Sequence, residues 1–159
     1  MTKKSFNLAQ DAIEQKRYKK AFRIYLKSMK NGDIDCELNI GYFYDKGIGI
    51  RKNKKKAAYH YKNCADRGDP AGANNLAILY KENKKYRLAE RYFNLAIILG
   101  DKDAALEIAE IHIKNGDISS AKIYLLLVIK AADNEVTPAS RNAASNILKT
   151  INKNSIIRR

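Results

Sequence analysis

Apolar residues recur along this chain at intervals of three and four. Ala21, Tyr25 and Ser28 form one such set, which returns as Ala57, Tyr61 and Cys64, then Ala89, Phe93 and Ala96, then Ala121, Leu125 and Val128. Residues spaced this way share one face of an α-helix. In every copy a small residue leads, a large apolar residue stands four later, and a smaller one follows three after that. The leading alanines lie 36, 32 and 32 residues apart, so the pattern is a tandem repeat with a unit long enough for two helices.

The other half of the unit carries its own helical pattern. Ile40-Gly41-Tyr42-Phe43-Tyr44 aligns with Leu76-Ala77-Ile78-Leu79-Tyr80 and with Ile108-Ala109-Glu110-Ile111-His112, and Leu8-Ala9 opens a weaker copy. The Gly or Ala lets a neighbouring helix come close, and the ring three residues on fills the space beside it. Gly-Asp pairs punctuate the chain at 32–33, 68–69, 100–101 and 116–117. The first three glycines end a helix as a left-handed cap would, and the fourth occupies a different place in the unit. Pro138 suits a first helical position, which predicts a last helix after a loop from Asp133 to Thr137. The predicted repeats are 5–32, 35–68, 70–100 and 102–133, followed by a capping helix over 138–152. Residues 1–150 then make one repeat domain, and 153–159 a basic C-terminal tail. A single hairpin cannot bury its apolar stripe alone, so stacked pairs are expected: an all-α solenoid with first (A) helices on the inner curve and second (B) helices on the outer.

Composition sharpens the picture. With 159 residues the chain is long enough to bury a core without disulfides or metal. No apolar run approaches the ~20 residues of a membrane span, and the basic start has no apolar stretch behind it, so a cytoplasmic protein is expected. Cys36 and Cys64 are the only cysteines, and a reducing cytosol would keep them as small buried thiols, with a redox switch as the alternative. The formal net charge of +14 favours acidic partners.

The stretch from Ile40 to Gly68 resembles the Sel1-like repeat. The family's run of Leu-Gly, Tyr, Gly-x-Gly-Val, Lys-Ala, Trp-Tyr, Ala-Ala and Gly is matched by Ile40-Gly41, Tyr44, Gly47-Ile48-Gly49-Ile50, Lys56-Ala57, His60-Tyr61, Cys64-Ala65 and Gly68. Ile40 replaces Leu, Ile50 replaces Val, His60 replaces Trp and Cys64 replaces the first Ala. The other copies have a shorter connection, 12 residues from Ala77 to Ala89 and from Ala109 to Ala121 against 16 from Gly41 to Ala57, and look more like ordinary tetratricopeptide repeats. The resemblance implies a right-handed α-solenoid of about four helix-turn-helix repeats plus the capping helix. It also implies a protein-binding scaffold with no catalytic residues, in a family that includes adaptors, secretion and signalling proteins and partners of toxins.

It further implies where a partner would sit. In the superfamily the groove is lined by A-helix positions three before, one after and four after the Gly/Ala. Carried onto this chain these are Phe6, Gln10 and Ile13, then Leu38, Tyr42 and Asp45, then Asn74, Ile78 and Lys81, then Leu106, Glu110 and Ile113. Some of them, notably Leu38 and Leu106, could instead pack between repeats. The expected function is a non-enzymatic scaffold that holds a protein partner, expected to be acidic, in its concave groove. An immunity or adaptor role suits a small, strongly basic repeat domain that is a monomer or weak oligomer.

The chemistry-bearing residues offer little against that reading. His60 and His112, the only histidines, occupy aromatic core positions, and no spacing supplies the convergent ligands of a zinc site. Gly47-Ile48-Gly49-Ile50-Arg51-Lys52 superficially suggests a phosphate loop, but it follows a helix rather than a strand. No catalytic signature or cofactor motif appears. Glu110 has Lys114 four residues on, the spacing of a surface pair. The densest positive patch is Arg51, Lys52, Lys54, Lys55 and Lys56, with further cations at Lys16, Arg17, Lys19, Lys20, Arg23 and Lys27 and then at Lys84, Lys85, Arg87 and Arg91, spread over every repeat. The alternative function is therefore nucleic-acid binding on a basic face. Against it, Lys outnumbers Arg 22 to 9, and Arg is the residue that reads phosphates bidentately.

Overall fold

The computed structural model describes residues 3–157. Among them lie nine α-helices and no strand: α1 (Lys3–Glu14), α2 (Tyr18–Lys30), α3 (Glu37–Lys46), α4 (Lys54–Asp66), α5 (Pro70–Glu82), α6 (Tyr86–Ile98), α7 (Ala104–Lys114), α8 (Ile118–Lys130) and α9 (Pro138–Ile157). One 3-10 turn, Ile34–Cys36, leads into α3. The fold is an all-α solenoid of four helical hairpins followed by a final helix. That helix begins at Pro138 and runs on through 153–157, so those residues are its last turns rather than a separate tail. Residues 158–159 of the expected tail lie outside the described residues. No helix among the described residues is long and apolar enough to cross a membrane.

The repeated face forms the core. All four leading alanines, the large residues Tyr25, Tyr61, Phe93 and Leu125, and the smaller Ser28, Cys64, Ala96 and Val128 are buried. Burying one of the larger side chains contributes about 2 kcal/mol.

The turns are built by one device. At the end of each of the first three B helices a glycine takes left-handed φ, +86° at Gly32, +84° at Gly68 and +107° at Gly100. The aspartate amide that follows then donates to the carbonyl of the small core residue five back: Asp33 to Ser28, Asp69 to Cys64 and Asp101 to Ala96. This is the Schellman closure, which uses carbonyls the helix leaves unpaired. The turns from A to B helix have the same geometry, with left-handed Lys16, Gly47, Lys84 and Gly116. Gly116-Asp117 is out of step with the other pairs for this reason: it closes α7, with Asp117 donating to the His112 carbonyl. Asp117 also caps α8, its side chain accepting from the Ser120 amide at 3.0 Å.

The chain divides into two compact units between Leu79 and Tyr80. The first has a ring-rich core: Phe22 stacks on Phe43 at 5.7 Å and meets Tyr44 edge-on at 5.3 Å, with Ile40, Ala9 and Ala12 in the same cluster. The second has an aliphatic core of Ala105, Ala109, Leu125, Val128 and Ala144, flanked by Leu106, Ile147 and Leu148.

Candidate protein-binding site

In the first unit the A helices are α1 and α3, with most of α5. The expected groove residues divide into three kinds here. Phe6 and Tyr42 are large and exposed, at 42% and 45%. Gln10, Ile13, Leu38, Asn74 and Ile78 are half-buried. Ile13 packs against the ring-rich core, so its side chain serves the fold. Asn74 carries a buried side-chain oxygen with no hydrogen-bond partner among the described residues.

Asp45 departs from the expectation. It is only 4% exposed and is held by Lys54 and by Lys46, the latter at 2.9 Å. Burial alone would raise its carboxyl, but the hydrogen bonds and charges of Lys54 and Lys46 outweigh that and hold it below the ordinary aspartate range. Asp45 is therefore a tie between the end of α3 and the start of α4, and it presents nothing to a partner. The reason is the long connection of this hairpin: the loop 47–53 must be anchored, and Asn53 assists by donating its amide to the Tyr44 carbonyl at 2.8 Å.

In the second unit, Leu106 packs against the aliphatic core, and Ile113 is half-buried. Lys81 bridges two carboxylates, Glu107 at 2.5 Å and Glu110 at 2.9 Å. Burial works against its charge, but the two acids prevail and raise its pKa. Glu110 does not pair with Lys114 as its spacing predicts, because Lys81 reaches it first. Lys114 instead donates to the Tyr86 hydroxyl at 2.9 Å and lies 5.3 Å from that ring's centre. Lys81 and Glu110 are thus neutralised within their own surface.

The basic run is also not uniform. Arg51, Lys52 and Lys55 are exposed. Lys54 belongs to the Asp45 tie. Lys56 lies over the Tyr44 ring at 5.1 Å, while its amide donates to the Asn53 side chain that caps α4. The loop carrying the run also touches α2, which sequence reasoning missed. A Cβ built on Gly49 would lie 2.6 Å from Tyr18 Cβ and 3.0 Å from the Lys19 amide nitrogen. The signal was the Gly-x-Gly at 47–49: the second glycine, left-handed at +66°, is where loop and helix meet.

The remaining candidates are structural. His60 is buried, stacked on Tyr44 at 5.8 Å, and its Nδ1 lies 3.2 Å from Glu37 Oε1. Glu37, itself buried, also accepts from Asn63 at 2.6 Å and Arg67 at 2.8 Å. His112 stacks on Tyr124 and lies 3.3 Å from both Glu90 and Asp117. Cys36 and Cys64 are both free and buried, and burial pushes the Cys64 thiol up to about 11, far from a reactive thiolate. Among the described residues no group of three His, Cys, Asp or Glu side chains is placed to hold a metal.

Known proteins place this architecture. No family model matches the chain, and no curated protein matches its sequence. Solved structures do match its fold. A Sel1 repeat protein from Oxalobacter formigenes superposes with a TM-score of 0.58 at 23% identity, over 67% of this chain and 47% of that one. A protective antigen present in uropathogenic Escherichia coli strains, displaying an SLR fold, superposes with a TM-score of 0.64 at 25% identity, over 77% of this chain and 29% of that one. This chain therefore spans under half the length of either neighbour. Its fold resembles the Sel1-like repeats of the tetratricopeptide superfamily.

Proposed function

We propose that the chain is a non-enzymatic binding module of the cytoplasm that holds an acidic protein against the A-helix face of its first unit, in an adaptor or immunity role. The observation that carries this reading is the pair of exposed rings, Phe6 on α1 and Tyr42 on α3, on helices that feed one core cluster. Large exposed rings at the register where the superfamily binds its partners are suited to be anchors, and truncating such an anchor costs about 2 kcal/mol of binding. The net charge of +14 supports an acidic partner, because complementary charge speeds encounter and rejects basic competitors.

The test is affinity capture from the source cells with the natural chain and with Phe6→Ala/Tyr42→Ala. Both rings are exposed, so circular dichroism of the double variant should match the parent. The expected result is a stoichiometric acidic protein held by the parent and lost by the variant. A partner that the double variant retains, or no stoichiometric partner for the parent, overturns the reading.

A further inference from the structure

A pocket of about 520 Å³ opens in the first unit, where the turn between α1 and α2 meets the long loop of the second hairpin. Lys16, Arg17, Lys19, Lys20 and Arg23 line it, and all five are exposed. Tyr18 and Gly49 complete its wall, which is mostly carbon. No acidic side chain lines the pocket, and none of the five cationic side chains is in an ion pair or hydrogen bond among the described residues.

That arrangement is unfavourable for the chain by itself. Lys19 and Arg23 are four apart on α2, and Lys20 and Arg23 three apart, spacings at which like charges repel. Lys19 and Lys20 also sit in the first turn of α2, which has no acidic residue, at the helix end where cations are disfavoured. On α4, by contrast, the residue four after Lys62 is Asp66, and the two pair at 2.6 Å. A cavity ringed by uncompensated cations is completed by a ligand that brings the negative charge.

The geometry points to a binding site for an acidic peptide segment whose carboxylates alternate with apolar side chains. The carboxylates would meet the Lys and Arg heads at the rim, where Arg17 and Arg23 offer forked donors that match a carboxylate. The apolar side chains would lie against Tyr18 and the aliphatic stems of the cations. The volume is that of an open pocket for a few side chains, whereas a nucleic-acid strand needs a groove that follows its backbone. These residues are distinct from Phe6 and Tyr42, so this site and the A-helix reading stand or fall separately.

Fluorescence anisotropy with the full chain tests it. The probe is a short labelled peptide in which aspartate and glutamate alternate with leucine and phenylalanine; an oligoglutamate of equal charge, single-stranded oligothymidylate and inorganic phosphate are the comparison ligands. The alternating peptide should bind most tightly and weaken with salt. Lys19→Glu/Arg23→Glu should lower its affinity about tenfold or more. The charge-matched Lys130→Glu/Lys149→Glu, on exposed positions of the second unit, should lower it far less. Phe6→Ala/Tyr42→Ala should leave it unchanged. The milder Lys19→Gln/Arg23→Gln, which must show the same direction, covers any folding defect of the reversal. Absence of peptide binding at low salt, equal loss in the charge-matched control, or tighter binding of oligothymidylate with loss in the same variants would each overturn the proposal.

Discussion

The two units repeat one hairpin pattern yet bury different chemistry. The buried polar residues among the described ones, Ser28, Glu37, Asp45 and His60, all belong to the first unit, whose core is rich in rings. The second unit closes on alanine, leucine and valine, and its ion pairs, such as Lys102 with Glu135 at 2.6 Å and Arg141 with Asp133 at 3.1 Å, lie at the surface. The contrast follows from one insertion. The hairpin of α3 and α4 has a connection four residues longer than its counterparts, and a longer loop costs entropy to hold in place. Asp45 ties that loop at its root, and Glu37 joins the start of α3 to the end of α4 through His60, Asn63 and Arg67. The α7–α8 hairpin of the second unit has no such insertion, and the unit's one long connection, 131–137, is held by surface groups instead, among them Glu135 with Lys102.

The largest test of this contrast is steric. At Gly72 in α5 an added Cβ would run into Cys64 Cβ and lie 2.8 Å from the Ala65 amide nitrogen, so backbone must move. The matching position in the second unit, five before Ala109 as Gly72 is five before Ala77, is Ala104, which is buried with its methyl group in place. Gly72→Ala should cost about 3 kcal/mol in urea unfolding. Ala104→Gly should cost only about 1 kcal/mol, the helix penalty of glycine. Equal effects would show that the two hairpin contacts are packed alike.

The second test is acid. Burial alone would raise the Glu37 carboxyl, but the hydrogen bonds from Asn63, Arg67 and His60 and the Arg67 charge outweigh it and hold it below the ordinary glutamate range. A carboxyl depressed in the folded state adds stability that is complete above the unfolded value of about 4.3 and is lost as pH falls through the lower folded value. Asp45 acts in the same direction. In the second unit, burial and the neighbouring Asp103 charge raise Asp101, so this group works the other way and stabilises as pH falls. Asp117, bonded to Ser120, and Glu135, bonded to Lys102, are lowered, but Asp117 is exposed and Glu135 only half-buried, so both are weakly felt. Amide exchange at acid pH should therefore show α3 and α4 opening before α7 and α8. Glu37→Gln should cost about 2 kcal/mol at neutral pH and much less at pH values below the folded carboxyl's titration. An unchanged acid profile in that variant would remove Glu37 from the account.

Both outcomes bear on what could be read before the structure. The repeat was legible because the core is periodic: one face of four B helices carries the burial, and a helix shows its buried face at every third and fourth residue. The turns were legible where the left-handed residue is glycine and hidden where it is Lys16 or Lys84, since lysine carries no signal for that conformation. The groove was legible as a register but not residue by residue. Glu110 shares its register with exposed Tyr42, and Asp45 and Lys81 share theirs with Ile13 and Ile113; only three-dimensional neighbours reveal that Asp45 is claimed by Lys54, and Lys81 by Glu107 and Glu110. The cationic pocket was visible as a run of charge, but its wall also includes Gly49, a residue 26 positions beyond Arg23.

The smallest expected effect compares one position in both units. Tyr25 and Phe93 each stand four residues after the leading alanine of their B helix, and both are fully buried. They differ by one hydroxyl. The Tyr25 oxygen has no hydrogen-bond partner among the described residues, and burial together with nearby Cys36 raises its pKa, disfavouring any ionised form. A buried hydroxyl without a partner forfeits the hydrogen bond it makes with water in the unfolded chain, while the ring keeps its apolar burial in either residue. Tyr25→Phe, which gives the first unit the residue the second already uses, should raise stability by about 1 kcal/mol, read as a higher urea midpoint at constant m-value. The reciprocal Phe93→Tyr should lower it by a similar amount. A loss of stability in Tyr25→Phe would mean that the hydroxyl is satisfied in solution, and that the ring-rich core gains from its polar edge.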